Sequence, residues 1–276
     1  MQTGAILNDR ALVTLTGPQA KELLQGLVTN DLDTLQEDGA LYAALLTPQG
    51  KILFDFIIVL TGDRLWLDCA KAQRPELIKR LKLYRLRAKV EIAESHLAVG
   101  AVWGDAPLPG LPQDVIVFDD PRLSALGKRV FAPRDVLERF LPNSGSSYHA
   151  MRIALGVPDS TDIPSDTVFA LDAGFEELHA VSFRKGCYVG QEVTARMKHR
   201  TSARKRFLIA EAERPYPFGT AITAAGREIG TLASHSDTVA LALVRLDRLP
   251  EAGKDSVAME IEGRPIVLRK PEWLLL

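Results

Sequence analysis

Cys187 stands in the stretch SFRKGCYVGQEVTAR, between two basic residues and a run with helical spacing. The thiolate is the form of cysteine that attacks electrophiles and binds metals, and it is favoured beside cations and at helix amino termini. Val189, Val193 and Met197 recur at i, i+4 and i+8, and Glu192 lies four residues before Arg196. A helix beginning near Tyr188 would therefore put Cys187 at its amino-terminal end, with Arg184 and Lys185 close by. The same position suits a small buried cysteine packing the helix start, because free cysteine is among the most buried residue types. On these residues alone the two readings are even.

Counting ligands narrows the chemistry. An iron–sulfur cubane takes about four thiolates, and the chain offers only Cys69 and Cys187. It cannot hold a stable cluster by itself in the usual manner, and no stable metal is expected. No CxxC pair is present, and His96, His149, His179, His199 and His235 are scattered without metal-ligand spacing. The chain also lacks a Walker loop, GxGxxG and GxSxG, so nucleotide and hydrolase readings have no motif.

Carboxylates in apolar strands form a second constellation. Asp55 interrupts ILFDFIIVL, where an unpaired charge would be expensive to bury. It must face solvent, breaking the alternation of Leu53, Asp55 and Ile57, or line a pocket. Asp68 in LWLDCA raises the same question. Thr29, Asn30 and Asp31 together read as a helix-end or capping cluster.

Charge is distributed unevenly. Lys71 to Lys89 carries eight Lys or Arg and one acid, as does Arg184 to Arg206. A solvated helix face and a linker are the ordinary readings of such runs. An anionic ligand or RNA is the functional one, but no stacking-aromatic motif accompanies them. Between Ile153 and Phe183 there is no Lys or Arg, while Asp159, Asp162, Asp166, Asp172, Glu176 and Glu177 make an acidic, loop-rich segment. Such loops are commonly just solvated, although this one could dock a partner.

The elements that must position these residues follow from periodicity. ALVTLTGP reads as a strand and turn, and PQAKELLQGLVTN as a helix with Pro18 in its first turn. GALYAALLTPQGKILFDFIIVLTGDRLWLDCA reads as three strands of an antiparallel meander, with turns at Pro48–Gly50 and Gly62–Asp63. An amphipathic helix with Leu77, Ile78, Leu81 and Tyr84 inward ends near Leu86, and AKVEIA is a strand. LAVGAVWG and VIVFDDPR are short strands around a Pro/Gly loop at Pro107–Pro112. YHAMRIALG is a helix stopped by Gly156 and Pro158. After residue 203 short alternating runs spaced by glycines suggest a small antiparallel barrel. With 276 residues, 46% hydrophobic and 25% charged, the chain has the composition of a soluble globular protein. Its net charge of -1 supplies no general attraction to nucleic acid or membrane. No apolar run is long enough to span a bilayer. Two cysteines and an amino terminus without signal-peptide character point to the cytoplasm.

KGCYVGQE resembles the signature of the YgfZ family, the folate-binding-like proteins of iron–sulfur cluster assembly and repair. Lys185, Gly186, Cys187, Tyr188, Gly190, Gln191 and Glu192 all stand in place. LLQGLVTND, LTPQGKILFD, YRLRAKVEI, MRIALGVPD and GREIGTLASHS extend the resemblance along most of the chain. That family is similar in turn to the T protein of glycine cleavage, a tetrahydrofolate-dependent aminomethyltransferase.

The resemblance implies an α+β fold: a T-protein-like body at residues 1–203, with intertwined parts 1–95 and 96–203, and a small antiparallel β-barrel at 204–276. It implies a maturation factor for [4Fe–4S] clusters in client enzymes, radical enzymes that modify tRNA among them. Its partners would be iron–sulfur assembly proteins and those clients, with no sequence-specific nucleic acid, no membrane, and a monomer or weak dimer. Cys187 would be a transient iron or cluster ligand, kept ionised by Lys185 and the helix end. Tyr188, Gln191, Glu192 and Arg196 would shape its surroundings. A tetrahydrofolate species would bind through Asn30, Asp55, Asp68 and Arg152. Asp55 corresponds to the transferase's catalytic carboxylate, whereas Asp68 replaces a folate-contacting Asn, which weighs against intact transferase activity. The alternative is a true one-carbon (aminomethyl) transferase.

Overall fold

The computed structural model describes residues 3–104, 112, 115–141, 143–200, 204–249 and 258–275. In chain order the larger part comprises β1 (Thr3–Ile6), β2 (Arg10–Thr16), α1 (Ala20–Gln25), β3 (Ala40–Leu46), β4 (Ile52–Thr61), β5 (Arg64–Ala70), α2 (Arg74–Arg85) and β6 (Glu91–Glu94). It continues with β7 (Ala98–Trp103), β8 (Ile116–Asp119), β9 (Lys128–Ala132), α3 (Arg134–Phe140), α4 (Gly145–Ala154) and α5 (Gln191–Arg200). The remainder is β10 (Lys205–Glu211), β11 (Ala221–Ala224), β12 (Arg227–Ser236), β13 (Val239–Arg245), β14 (Met259–Ile261) and β15 (Arg264–Arg269).

The meander forms as the turn residues require: β3, β4 and β5 pair antiparallel, and β2 and β6 complete a sheet in the order β3-β4-β5-β2-β6. Strand alternation then decides which residues meet. Phe54, Phe56 and Ile58 pack with Leu24, Leu77 and Leu81 under the two helices. Ile57, Val59 and Trp66 point to the opposite face, into a core shared with Val99, Ala101 and Phe131 of a second sheet, β1-β7-β9-β8. Both faces of β4 are thus buried, which explains its near-continuous apolar run. The amino-terminal strand crosses between the halves, since β1 pairs with β7 rather than with its neighbour β2.

β10 to β15 close into an antiparallel barrel. Its closed ring leaves no strand edge, and its core of Leu208, Ile222, Ile229, Val244 and Ile261 is self-contained. The boundary expected near residue 203 and most of the Pro107–Pro112 loop lie outside the described residues. Three elements of the larger part were not legible from spacing, β1, β9 and α3, nor were β14 and β15 of the barrel. Two helix starts also differ from expectation. Pro18 precedes α1 rather than sitting in its first turn, and α5 begins at Gln191, not near Tyr188.

Candidate functional site

The KGCY loop is held from within and open at its tip. Lys185 is buried, and its ammonium donates to the backbone carbonyls of Gln25, Val28 and Asn30, each at 2.7 Å. Those three bonds use all three donors of the group. Burial lowers its pKa to about 8, opposed by Asp31 and Asp33. Tyr188 is also buried, its ring 5.3 Å from the Lys185 nitrogen, and burial raises its hydroxyl pKa to about 12. Between these two anchors Gly186 and Cys187 are exposed. The even choice between a packed and a presented cysteine is thereby decided, and it is Cys69 that is buried.

The expected source of thiolate stabilisation is corrected. Cys187 lies four residues ahead of α5, so it does not cap that helix. The Lys185 charge points inward to carbonyls instead of outward with the thiol. Gln191 donates from its amide to the Gly186 carbonyl at 3.3 Å, bracing the loop. Glu192 and Arg196 form an exposed i,i+4 pair at 2.6 Å, worth a few tenths of a kcal/mol, about 0.3–0.5.

The TND segment forms the floor under this loop. Thr29 donates its hydroxyl to the Ala180 carbonyl at 2.6 Å, and Asn30 donates to the His179 and Tyr42 carbonyls at 2.7 and 2.8 Å. Ser182 donates its N–H to the Thr29 carbonyl at 3.0 Å. Asn30 therefore has no amide hydrogen free for a ligand, and only Asp31 does the capping expected of the cluster.

Gly190 fixes the approach of α5. Its φ is +83°, and a Cβ there would lie 2.6 Å from the Thr47 carbonyl oxygen in the β3–β4 turn. Gly190→Ala is expected to cost about 1–3 kcal/mol in urea unfolding through strain and displaced packing. Gly186 has nothing within 4 Å of its would-be Cβ and no positive φ, so Gly186→Ala should leave the melting temperature unchanged.

The carboxylates singled out in the strands are buried rather than solvent-facing. Asp68, wholly buried on β5, meets Arg10 Nε at 2.7 Å and Arg129 Nη1 of the second sheet at 3.1 Å. Arg129 reaches on to Asp120 at 3.2 Å, and Asp120 holds Arg122 at 2.7 Å. Both arginines donate to the Tyr148 hydroxyl, at 2.9 Å from Arg122 and 2.8 Å from Arg129. Despite burial, Arg122 and Arg129 hold Asp120 well below the usual carboxylate range. Arg152 is 1% exposed, with Asp162 at 2.6 Å and Asp159 at 3.1 Å. Asp162 also accepts from the Ser234 N–H of β12 at 2.9 Å, tying the body to the barrel. Sequence reasoning missed Arg10, Tyr42, Asp120, Arg122, Arg129 and Tyr148. A charged residue alternating into an apolar strand, as Arg129 does in KRVFA, was the available signal.

Asp55 ends the network. Its two oxygens accept from Tyr42 at 2.9 Å and from the Ser160 hydroxyl. Burial raises its pKa, opposed by Arg10 and by the Ser160 bond. Arg10, Arg122, Arg129 and Arg152 face Asp55, Asp68, Asp120, Asp159 and Asp162 in one buried network. Because burial raises the Asp55 pKa, the contribution of this group to stability falls as pH rises above the ordinary carboxylate range. Asp120 and Asp159, held low, act oppositely: their contribution is present above about pH 4 and lost as pH falls below it. Asp55→Asn is expected to raise stability at pH 7 relative to wild type, the gain shrinking toward pH 4 in urea titrations.

The acidic segment is corrected likewise. Asp159, Asp162 and Asp172 are buried, Glu176 and Glu177 pair with Lys198 and Arg206, and Asp166 alone of the six acids stands exposed, so most of the segment is not a solvated loop. A cavity of about 1250 Å³ opens beside it, lined among others by Asp120, Arg122, His179, Lys198, Arg206 and Trp273. None of Asn30, Asp55, Asp68 and Arg152 lines it. Asn30, Asp55 and Asp68 spend their polar groups on the protein itself and do not fit a tetrahydrofolate contact set, whereas Arg152, held by Asp162, borders a separate cavity of about 510 Å³ with His149 and Thr161.

A two-sheet α+β body with a closed six-stranded barrel and an outward cysteine loop defines a protein of the aminomethyltransferase fold. The crystal structure of glycine cleavage system aminomethyltransferase T from Bartonella henselae superposes with a TM-score of 0.80 at 17% identity, covering 99% of this chain and 86% of that one. Residues 204–275 match the family described as CAF17, C-terminal beta-barrel domain. The chain belongs to the family of the iron–sulfur cluster assembly factor IBA57. It is 30% identical to the mitochondrial factor of Mus musculus over 97% of this chain and 84% of that protein, and 30% identical to that of Homo sapiens over 88% and 77%. With the Neurospora crassa homolog it shares 32% identity over 73% of this chain, spanning about half (52%) of that longer protein. These relatives are mitochondrial, which overturns the cytoplasmic placement. Two free thiols speak against an oxidising compartment but do not choose among reducing ones.

Proposed function

We propose that this chain is a maturation factor that assists assembly or repair of [4Fe–4S] clusters in client enzymes, with Cys187 as the residue that meets the cargo. One observation carries the role of the cysteine: it is the exposed thiol of the chain, on a loop whose two neighbours, Lys185 and Tyr188, are locked into the core. A projecting thiol supplies one ligand to iron or cluster, and the remaining ligands come from the assembly protein or client. The motif's resemblance to the YgfZ signature supports radical enzymes, including those that modify tRNA, as clients. The division into a body at 1–203 and a barrel at 204–276 belongs to the same reading.

Tetrahydrofolate takes no part in this reading, because Asn30, Asp55 and Asp68 are held by protein partners. The cavity of about 1250 Å³ has room for such a species. Aminomethyl transfer would need Asp55 open to an amine, and that carboxyl is 2% exposed with both oxygens occupied.

The test is a deletion strain assayed for [4Fe–4S] enzymes and complemented with wild type, Cys187→Ala and Asp55→Ala. Loss with Cys187→Ala alone supports the reading. Full client activity without the thiol sinks it, and folate-dependent turnover that survives the loss of Cys187 favours the transferase.

A further inference from the structure

The outer face of α2 and the turn after it carry a feature that the fold of this chain does not explain. Leu77 and Leu81 point into the core, and Lys79, Lys82, Leu83 and Leu86 share the opposite face, at i, i+3, i+4 and i+7. Leu83 is 65% and Leu86 82% exposed. Leu86 also has φ +46° and ψ -108°, while the Ala88 N–H donates to the Arg85 carbonyl at 2.8 Å. That is the first central position of a type II′ turn, which glycine ordinarily occupies. A leucine there is strained and buries almost nothing within the chain.

The surroundings select a partner. Arg85 and Arg87 line the adjoining groove, and these two with Arg80, Lys82 and Lys89 form no ion pair among the described residues. Beside Leu86 a groove of about 510 Å³ runs between α1 and the end of α2, lined by Leu23, Leu27, Tyr84 and Leu86, with Glu22 as its acid. Gly26 and Leu27 of this groove adjoin Gln25 and Val28, whose carbonyls clamp Lys185, so the groove and the cysteine loop share one support. An exposed leucine lining a concave groove, with a second exposed leucine three residues earlier on α2, suits side chains of a protein better than a nucleic-acid backbone, and the surrounding cations require acidic neighbours.

We propose that this face docks an acidic, amphipathic helix of a partner protein, whose apolar residues cover Leu83 and Leu86 and enter the groove. The test uses the full chain and a fluorescein-labelled helical peptide with Leu at i, i+3, i+4 and i+7 and Glu elsewhere on that face. Anisotropy should show salt-sensitive binding, weakened at least tenfold by Leu83→Ser with Leu86→Ser and by Lys79→Glu with Lys82→Glu. Leu86→Gly should raise the melting temperature while weakening the peptide, a combination that a merely structural leucine would not produce. Parallel arms use the same peptide with its leucines changed to serine, a single-stranded RNA, and phosphatidylserine vesicles. No binding, equal binding of the serine peptide, or tighter binding of RNA or vesicles overturns the proposal. So does concentration-dependent self-association abolished by the leucine variants, which would assign the face to a second copy. None of these readouts involves Cys187, so failure here is separable from failure of the maturation role.

Discussion

Asp68→Ala is expected to destabilise the protein by about 3–5 kcal/mol, the largest single effect among its polar residues. The substitution removes the carboxylate that two buried arginines share, Arg10 at 2.7 Å and Arg129 at 3.1 Å. Arg10 would keep only a backbone contact, its 2.6 Å bond to the Asp68 carbonyl. Burial opposes its charge, and Asp68 is the chief group offsetting that opposition. Asp55 and Asp159 act on Arg10 only through space, so the guanidinium would lose its one paired carboxylate where no solvent replaces it. Chemical unfolding of the wild type and Asp68→Ala measures the loss. A change below about 1 kcal/mol, the scale of surface ion pairs, would show that water reaches the pair. Asp55→Asn, on the same face, is the internal control: its expected effect has the opposite sign because burial raises the Asp55 pKa and so disfavours its charge.

Cys187→Ala should reduce [4Fe–4S] client activity in the complemented deletion strain to the level of the strain without the gene. Its unfolding free energy should stay within about 0.5 kcal/mol of wild type, as for an exposed side chain away from any cap or cavity. The separation of the two readouts follows from geometry. Lys185, Tyr188 and Gly190 hold the loop, and each is anchored or closely packed against the body. Cys187 itself projects from that support and stabilises nothing. A variant that lost stability as well as activity would place the thiol in the core and remove the basis for a presented ligand. Iron-binding spectra of purified wild type and Cys187→Ala, recorded with an assembly protein present, would then locate the step at which the thiol acts.

Much of the fold was legible because it is written locally. The three-strand meander announces itself through Pro48–Gly50 and Gly62–Asp63, and the turn chemistry leaves the chain little choice. The barrel is visible in short alternating runs separated by glycines. β9 and α3 were harder, since KRVFA is short and carries two cations, and RDVLERF is under two turns long. Within the candidate site, the KGCYVGQE stretch identified the loop but misplaced the start of its helix. Spacing of Val189, Val193 and Met197 is satisfied equally by a helix and by the turn that precedes one. The acidic run at 159–177 reads as solvated only because its arginine partners lie outside it, on α4 and β10.

The sequence by itself determined most of the elements, the antiparallel meander, the barrel, and the presence of one cysteine in a distinctive loop. All of these depend on contacts within a few tens of residues, where turn type and side-chain period are decisive. Tertiary structure alone decided that Cys187 faces outward while Lys185 faces in, and that Asp55, Asp68 and Arg152 are spent inside the protein. Asp68 finds Arg10 across 58 residues and Arg129 across 61, and Lys185 finds its three carbonyls across 155 or more. No local period encodes such pairs. They exist because desolvation makes a lone buried charge untenable, and only the folded chain shows which opposite charge is near enough to answer it.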